Sequence, residues 1–367
     1  MLCIRCSTDT KLSERKDGRC PSCGGAFAFE PRQGDPLSDR QMQRAIEVVS
    51  SEGEVWWNED HLYFELGRRL LAPARRRARW VAGASLLGAA FATAMGGWFV
   101  AWIPALIGLW NLSRGWARVE DVLPRARFDA LFGRWTDAHG RPSKLIVRRP
   151  LPPPDAQRAL DPDIASYSFD RAVICDRPRT VDVLLANQFH FENNCAVLGV
   201  GGYPQATFAL VRSMLKQNPR LRVYVLHDAS PAGCATAARV ANDGEWFGGR
   251  VRVVDVGLSP RQAMAMPRAL WTRGPATTVR LDAHGFTEAE RRWLEAGWSV
   301  ELAVIRPEQI VKRLFRAIAE ERELDQRGGG DGGGGSAGDD GVGLWVQDRH
   351  ALVTETQVVD GGGDSFG

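Results

Sequence analysis

The chain has little that would send it out of the cell and nothing that repeats. No secretory leader precedes Cys3, and no segment recurs at a fixed period across the 367 residues. The first absence argues against an oxidising compartment and so against structural disulfides. The second argues against a solenoid or propeller. The longest stretch without charge is an apolar block: none of the 34 positions from Trp80 to Ser113 is charged. Over the whole chain charged residues make up 25% and the net charge is +3, as expected for folded domains around a limited apolar segment. This length suggests two or three folded units.

What the amino end does have is cysteine. Cys3-Ile-Arg-Cys6 and Cys20-Pro-Ser-Cys23 are two Cys-x-x-Cys knuckles with 13 residues between them. Four thiolates at this spacing suit a tetrahedral zinc site, and a closed four-cysteine site is structural rather than catalytic. Gly24 and Gly25 suit the tight turn after the second knuckle. Two disulfides would be the competing reading. Cys175, Cys195 and Cys234 are expected in a core, where cysteine commonly sits. Between the knuckles lie Lys11, Arg15, Lys16 and Arg19, with no aromatic for base stacking. Protein docking or a purely structural role is therefore favoured for this ribbon over nucleic-acid contact.

The uncharged block is flanked by arginine on both sides, from Arg68 to Arg79 and from Arg114 to Arg127. Gly96-Gly97 divides it into two pieces of about 16 residues, each short of the roughly 20 that span a bilayer. Positive flanks favour the cytoplasmic side. The expectation is a transmembrane or re-entrant hairpin with the soluble parts in the cytoplasm, hence an inner-membrane location. A single tilted span or a buried helical pair are the alternatives.

From Asn194 to Gly233 the chain reads as strand, glycine turn, helix, strand and an Asp-led loop opening another helix. Ala196 to Val200 runs into Gly201-Gly202, Pro204 sits where a first helical residue tolerates proline, and Val223 to Leu226 is apolar on both faces, as a central parallel strand is. Asp228 follows that strand. Ser230 and Pro231 read as an N-cap and first helical residue. A dinucleotide fingerprint at Gly199-x-Gly201 would need a small third residue, and Pro204 stands there.

Gly202-Tyr203-Pro204 with its helix, Val223 to Gly233, the strand Ala172 to Asp176 and the later Trp293–Leu302 segment together resemble the Toprim domain, nearest to that of type VI topoisomerase A subunits. The resemblance covers about 150 residues. It implies an α/β domain with a mainly parallel sheet, and a Mg²⁺ site made by a Glu and a pair of Asp. Here Asp176 stands for the Glu and Ser230 for the second Asp, leaving Asp176 and Asp228 as a weak magnesium pair with Glu301 as a distant third acid. The resemblance also makes Tyr63 the tempting counterpart of a DNA-attacking tyrosine, although ordinary packing beside Phe64 suits it better.

The expected layout is a zinc ribbon over 1–35, a small helical or winged-helix-like unit over 36–79, the hairpin over 80–113, an amphipathic helix and Pro-rich linker over 114–166, the Toprim-like domain over 167–327 and a Gly-rich acidic tail over 328–367. Helices are expected over 38–49, 59–71, 119–139 and 307–322, and a short hairpin in the tail. The function expected is a membrane-anchored adaptor of bacterial type that binds protein partners and does no chemistry. The alternatives are a Mg²⁺-dependent nuclease or topoisomerase-like enzyme using Asp176 and Asp228 on nucleic acid, and a nucleotide-binding regulatory domain.

Overall fold

The computed structural model describes residues 1–15, 17–94, 102–103, 106, 108–110, 117–147, 169–218, 221–248, 251–275 and 285–328. The chain divides into two compact units. The first comprises Met1–Pro152 with Pro267–Arg273 and Ala303–Glu308, the second Pro153–Met266 with Gly274–Leu302 and Gln309–Gly367.

In the first unit two knuckles lead into helices α1 (Asp39–Val49), α2 (Glu59–Ala94), α3 (Val119–Val122) and α4 (Arg125–His139). Ser38 caps α1 through a capping box with Gln41. The ribbon does not stand apart from these helices. Buried Asp39 accepts hydrogen bonds from the Ala28 and Phe29 amides at 3.0 and 2.9 Å and meets His139 Nε2 at 2.7 Å. Phe29 stacks on Trp135, with ring centroids 6.2 Å apart. The helix expected over 119–139 breaks at Leu123, because Pro124 ends the short α3 and serves as the N-cap of α4. Its apolar face of Phe128, Leu131, Phe132 and Trp135 is buried as the spacing requires.

Helix α2 runs past its expected end at Leu71, carrying Pro73 inside it. The transmembrane hairpin expected over 80–113 is corrected here: among the described residues no helix is long and apolar enough to cross a membrane. The cause lies in how charge is distributed along α2. Its first two turns hold Glu59, Asp60 and Glu65, arginines recur through Arg79, and only 80–94 is uncharged. At about 1.5 Å per residue that stretch reaches roughly 22 Å, against the ~30 Å of a bilayer core. The expected inner-membrane location loses its support with the span. Trp80, Leu87, Phe91, Trp102 and Leu109 are exposed. Residues 95–101, 104–105, 107 and 111–113 of the block lie outside the described residues.

The second unit is built on four parallel strands, β1 (Arg171–Cys175), β2 (Cys195–Gly199), β3 (Arg222–Leu226) and β4 (Arg252–Asp255), in the order β2-β1-β3-β4. Register pairs Ala172 with Ala196 on one side and with Val223 on the other. Helices α5 (Pro178–Ala186), α6 (Phe189–Glu192), α7 (Phe208–Gln217), α8 (Pro231–Asn242), α9 (Pro260–Ala265), α10 (Glu288–Glu295) and α11 (Pro307–Gly328) complete the elements. The strands are apolar on both faces because both are covered. Ala172, Ile174, Leu198, Val223 and Val225 pack with Val211 and Leu215 of α7 and Val240 of α8. Cys175, Cys195 and Cys234 are buried, as cysteines in a core should be.

Pro204 does not begin a helix. The Tyr203–Pro204 peptide is cis, and α7 starts at Phe208 behind Thr207. The Gly199 amide is instead turned back onto the Tyr203 carbonyl at 2.7 Å. The Pro-rich spacer over 148–162 and the acidic tail from 329, with its expected hairpin, lie outside the described residues.

Candidate functional site

The chain carries two clusters of potential ligands, each within one unit. The first is the cysteine set. The thiol sulfurs of Cys3, Cys6, Cys20 and Cys23 all lie within 4.8 Å of one another, with Cys3 to Cys23 at 3.7 Å and Cys6 to Cys20 at 3.6 Å. They form the one such group of three or more ligand side chains among the described residues. Each knuckle brings its pair together by the same backbone device. The amide four residues after the first cysteine returns to that cysteine's carbonyl, Ser7 to Cys3 at 2.9 Å and Gly24 to Cys20 at 2.8 Å. Those two residues take the left-handed conformation, at φ 57° and 70°, which suits Gly24 and strains Ser7 slightly. Hydrogen bonds from Thr8 hold the Cys6 thiol down at about 6; at Cys23 the Gly25 amide pulls the same way, but the neighbouring thiols and burial push it up to about 11, so metal binding would release protons. A tetrahedral ion with sulfur at about 2.3 Å places its ligands about 3.8 Å apart. The two sulfur pairs at 3.6 and 3.7 Å fit that geometry, so these four residues can hold a metal ion.

The second cluster lies at the carboxyl ends of the strands. From β1 the chain first goes to β2 and then returns to β3 on the other side, so the order reverses between β1 and β3, where open α/β sheets bind ligands. Asp176 follows β1 and Asp228 follows β3, and the fold brings these two predicted residues together. Asp176 Oδ2 accepts the Asp228 amide at 2.8 Å, while its Oδ1 is buried with no hydrogen bond. Burial raises the Asp176 carboxyl above its ordinary value. Asp228 is 2% exposed and accepts the Leu302 amide on Oδ1 at 2.6 Å. Burial, then the neighbouring Asp176 charge, pushes it up to about 6.

What sits against these acids is an arginine. The Arg177 guanidinium is ion-paired to Asp228 Oδ2, and its Nη1 lies 3.8 Å from Glu301 Oε1. Glu301, predicted as a distant acid, is thus joined to the pair through a cation. Ser230 plays no part in ligation. Its Oγ accepts the Gly233 amide at 3.0 Å as the N-cap of α8, with Pro231 first in the helix. Gly233 lets the helix come this close, because a Cβ there would stand 2.3 Å from the Asp228 carbonyl and 3.1 Å from Asp176 Oδ2.

Next to Asp228, His227 is buried with both ring nitrogens engaged: Nδ1 is 2.7 Å from the Asp228 carbonyl, and Nε2 3.0 Å from Asp255 Oδ1. Burial opposes its charge, but the Asp255 carboxylate and these hydrogen bonds outweigh it and lift the imidazole to about 9. With both nitrogens committed, this ring fixes the loop and has no free atom for proton transfer. Gly257 makes room for it, since a Cβ there would be 2.3 Å from His227 Cδ2.

Sequence reasoning missed Arg177, His227, Asp255 and Gly257. Arg177 and His227 are immediate neighbours of the two flagged aspartates, and that adjacency was the available signal. Tyr63 is buried in the first unit, edge-on to Phe64 and Phe128 and covered by the Arg125 guanidinium 4.1 Å from its ring centre. It is a packed aromatic and no exposed nucleophile.

Compared with protein-family models, curated proteins and solved structures, the chain matches none. The Toprim resemblance therefore rests on the residues quoted for it.

Proposed function

We propose that this chain is a zinc-bearing adaptor: the four cysteines hold a structural zinc ion, and the α/β unit is a Toprim-like domain that binds protein partners and does no phosphodiester chemistry. Zinc is the metal these ligands suit, since four thiolates in a closed tetrahedron select zinc over hard cations. It would cross-link the two knuckles and leave no open position for a substrate.

One observation carries the non-catalytic half. Arg177 supplies the positive charge between Asp228 and Glu301, where a nuclease would need a Mg²⁺ ion to neutralise developing charge at a phosphodiester. The cap formed by Ser230 supports the same reading, because the residue standing where the family pair has its second acid spends its oxygen on the helix. A Mg²⁺-dependent enzyme acting on nucleic acid is the second reading, favoured by the buried Asp176 Oδ1 that lacks a partner.

Purified full-length chain separates the two. The adaptor reading expects one zinc per chain, removed by Cys6→Ser with Cys20→Ser, no Mg²⁺ heat in calorimetry that depends on Asp228, and no cleavage of single- or double-stranded DNA. Mg²⁺ binding and cleavage that both vanish in Asp228→Asn would replace it with the enzyme.

A further inference from the structure

The uncharged half of α2 is built the wrong way round for a helix that meets only water. Its small residues make the contact within the chain, and its large apolar ones point outward. Residues 102–103, 106 and 108–110 are helical, and buried Gly108 lies against α2. A Cβ on Gly108 would stand 3.2 Å from Ser85 Cβ and 3.6 Å from the Ala82 carbonyl oxygen. Trp80, Leu87 and Phe91 fall within about 40° of one another around α2, since each residue turns the helix by about 100°. They are 75%, 74% and 69% exposed. On the neighbouring segment Trp102, Leu106 and Leu109 recur at helical spacing and are also exposed. Counting about 200 Å² for each whole side chain, these six leave on the order of 800 Å² of apolar surface uncovered. A monomer keeps patches of about 300–600 Å², whereas one side of a stable protein interface covers about 800 Å².

The face of α2 also fits itself. Along it run Trp80, Gly83, Ala84, Leu87, Phe91 and Ala94, all exposed. Turned end for end about Leu87, the face sets Trp80 against Ala94, Phe91 against Gly83 and Leu87 against its own copy. Each large ring then meets a small residue, as interdigitating layers require. Two-fold symmetry makes each match occur twice. Charge selects the same direction. Arg76 and Arg77 are exposed just before Trp80, and a parallel pair would bring them against their copies. In the antiparallel pair each Arg77 stands ten residues from the centre, which separates the two by roughly 30 Å at 1.5 Å per residue. That is beyond the ~10 Å over which charge acts in salt.

We propose that α2 pairs antiparallel with α2 of a second copy of this chain, about a two-fold axis at Leu87. This goes beyond the adaptor reading and does not depend on it. For an adaptor the consequence is avidity: a paired chain presents its binding units twice, and a partner with two sites gains in effective concentration.

Sedimentation equilibrium of the full-length, zinc-loaded chain, without detergent and at micromolar concentration, tests this. The parent is expected at twice the 40.4 kDa of one chain. Leu87→Glu sets two carboxylates against each other at the axis and is expected to make the pair about 100-fold weaker. Ala94→Trp crowds the partner's Trp80 and is expected to weaken it about tenfold, and Trp80→Ala with Ala94→Trp to restore it. These positions are exposed in the single chain, so the variants are expected to keep the parent's zinc content and circular dichroism. Should Leu87→Glu fail to fold, the exchange of Trp80 and Ala94 decides. A monomeric parent overturns the proposal, as does a species larger than two chains. A pair that Leu87→Glu leaves intact, or that the exchange does not restore, overturns it as well. If the parent stays monomeric and floats with phosphatidylglycerol vesicles, lipid rather than a copy covers the face, and the proposal falls.

Discussion

The cysteine knuckles and the carboxylate crevice are both sets of acidic ligands gathered from distant positions, yet they handle their charge in opposite ways. At the knuckles four sulfurs lie within 4.8 Å of one another, at 3.6–3.7 Å across two of the pairs. At the crevice an arginine stands among the acids. Four thiolates held this close need a metal to offset their charge, whereas acids already paired to an arginine do not. The difference also follows from what surrounds each set. The knuckles come from a short loop-rich segment, and a metal is how such segments fold. The crevice caps a sheet buried on both faces, whose stability comes from apolar packing.

Zinc removal gives the largest expected contrast. Structural zinc contributes on the order of 10 kcal/mol to folding in small zinc modules. A strong chelator added to the full-length chain should therefore erase amide-exchange protection over 1–26, while β1 and β3 stay protected. Equal protection in both regions after complete zinc loss would break the comparison, because it would mean the knuckles stand on packing alone. The second largest effect is at Gly257. A methyl group 2.3 Å from His227 Cδ2 must displace a ring that makes two hydrogen bonds, one of them to a carboxylate. Overpacking and lost bonds together should cost about 3 kcal/mol. The urea midpoint of Gly257→Ala, followed through the sheet amides, measures it, and a midpoint unchanged from the parent would show that the ring is not held where the geometry puts it.

Legibility in the sequence divided along the same line. The knuckles were readable because ligand spacing is local: two Cys-x-x-Cys pairs bring their own turn residues with them. The Ser230-Pro231 cap and the strands around Val173, Val197 and Val225 were readable for the same reason, being set by neighbours a few positions away. Arg177 was not, because its meaning lies in Asp228 and Glu301, 51 and 124 positions further along the chain. Pro204 misled because a proline before an apolar helix fits the first helical position, while tertiary folding placed it in a turn ahead of Thr207. The uncharged block misled because composition over a window does not show where helices begin. Helix α2 starts 21 residues before the block and brings its charges with it.

A pH effect of intermediate size sharpens the crevice side. The imidazole of His227 is raised to about 9 in the fold, against about 6.5 when unfolded. A raised value means the folded state holds the proton more tightly. The resulting stability is fully present below pH 6.5 and is lost as the pH rises through 9. Asp255 is half-exposed, so screening should hold the loss to about 1 kcal/mol. Unfolding of the parent and of His227→Gln at pH 6.5 and 9 checks this. The parent should weaken across that window and the variant should not. Parallel curves would assign the pH dependence to other groups.

The smallest effects are at Ser230, and they isolate what an added carboxylate would do there. Ser230→Ala removes the oxygen that accepts the Gly233 amide and should cost about 1 kcal/mol. Ser230→Asp keeps a cap, since aspartate serves there about as well as serine, and the helix amino terminus favours its charge. Its stability should stay within about 0.5 kcal/mol of the parent. A further carboxylate then stands near Asp176 and Asp228 while Arg177 remains in place, and Mn²⁺ affinity should not change. If Ser230→Asp alone bound Mn²⁺, the serine would be what keeps metal out and the arginine a bystander. If it bound only in combination with Arg177→Gln, the charge already present in the crevice, rather than the number of acids, would decide whether a metal enters.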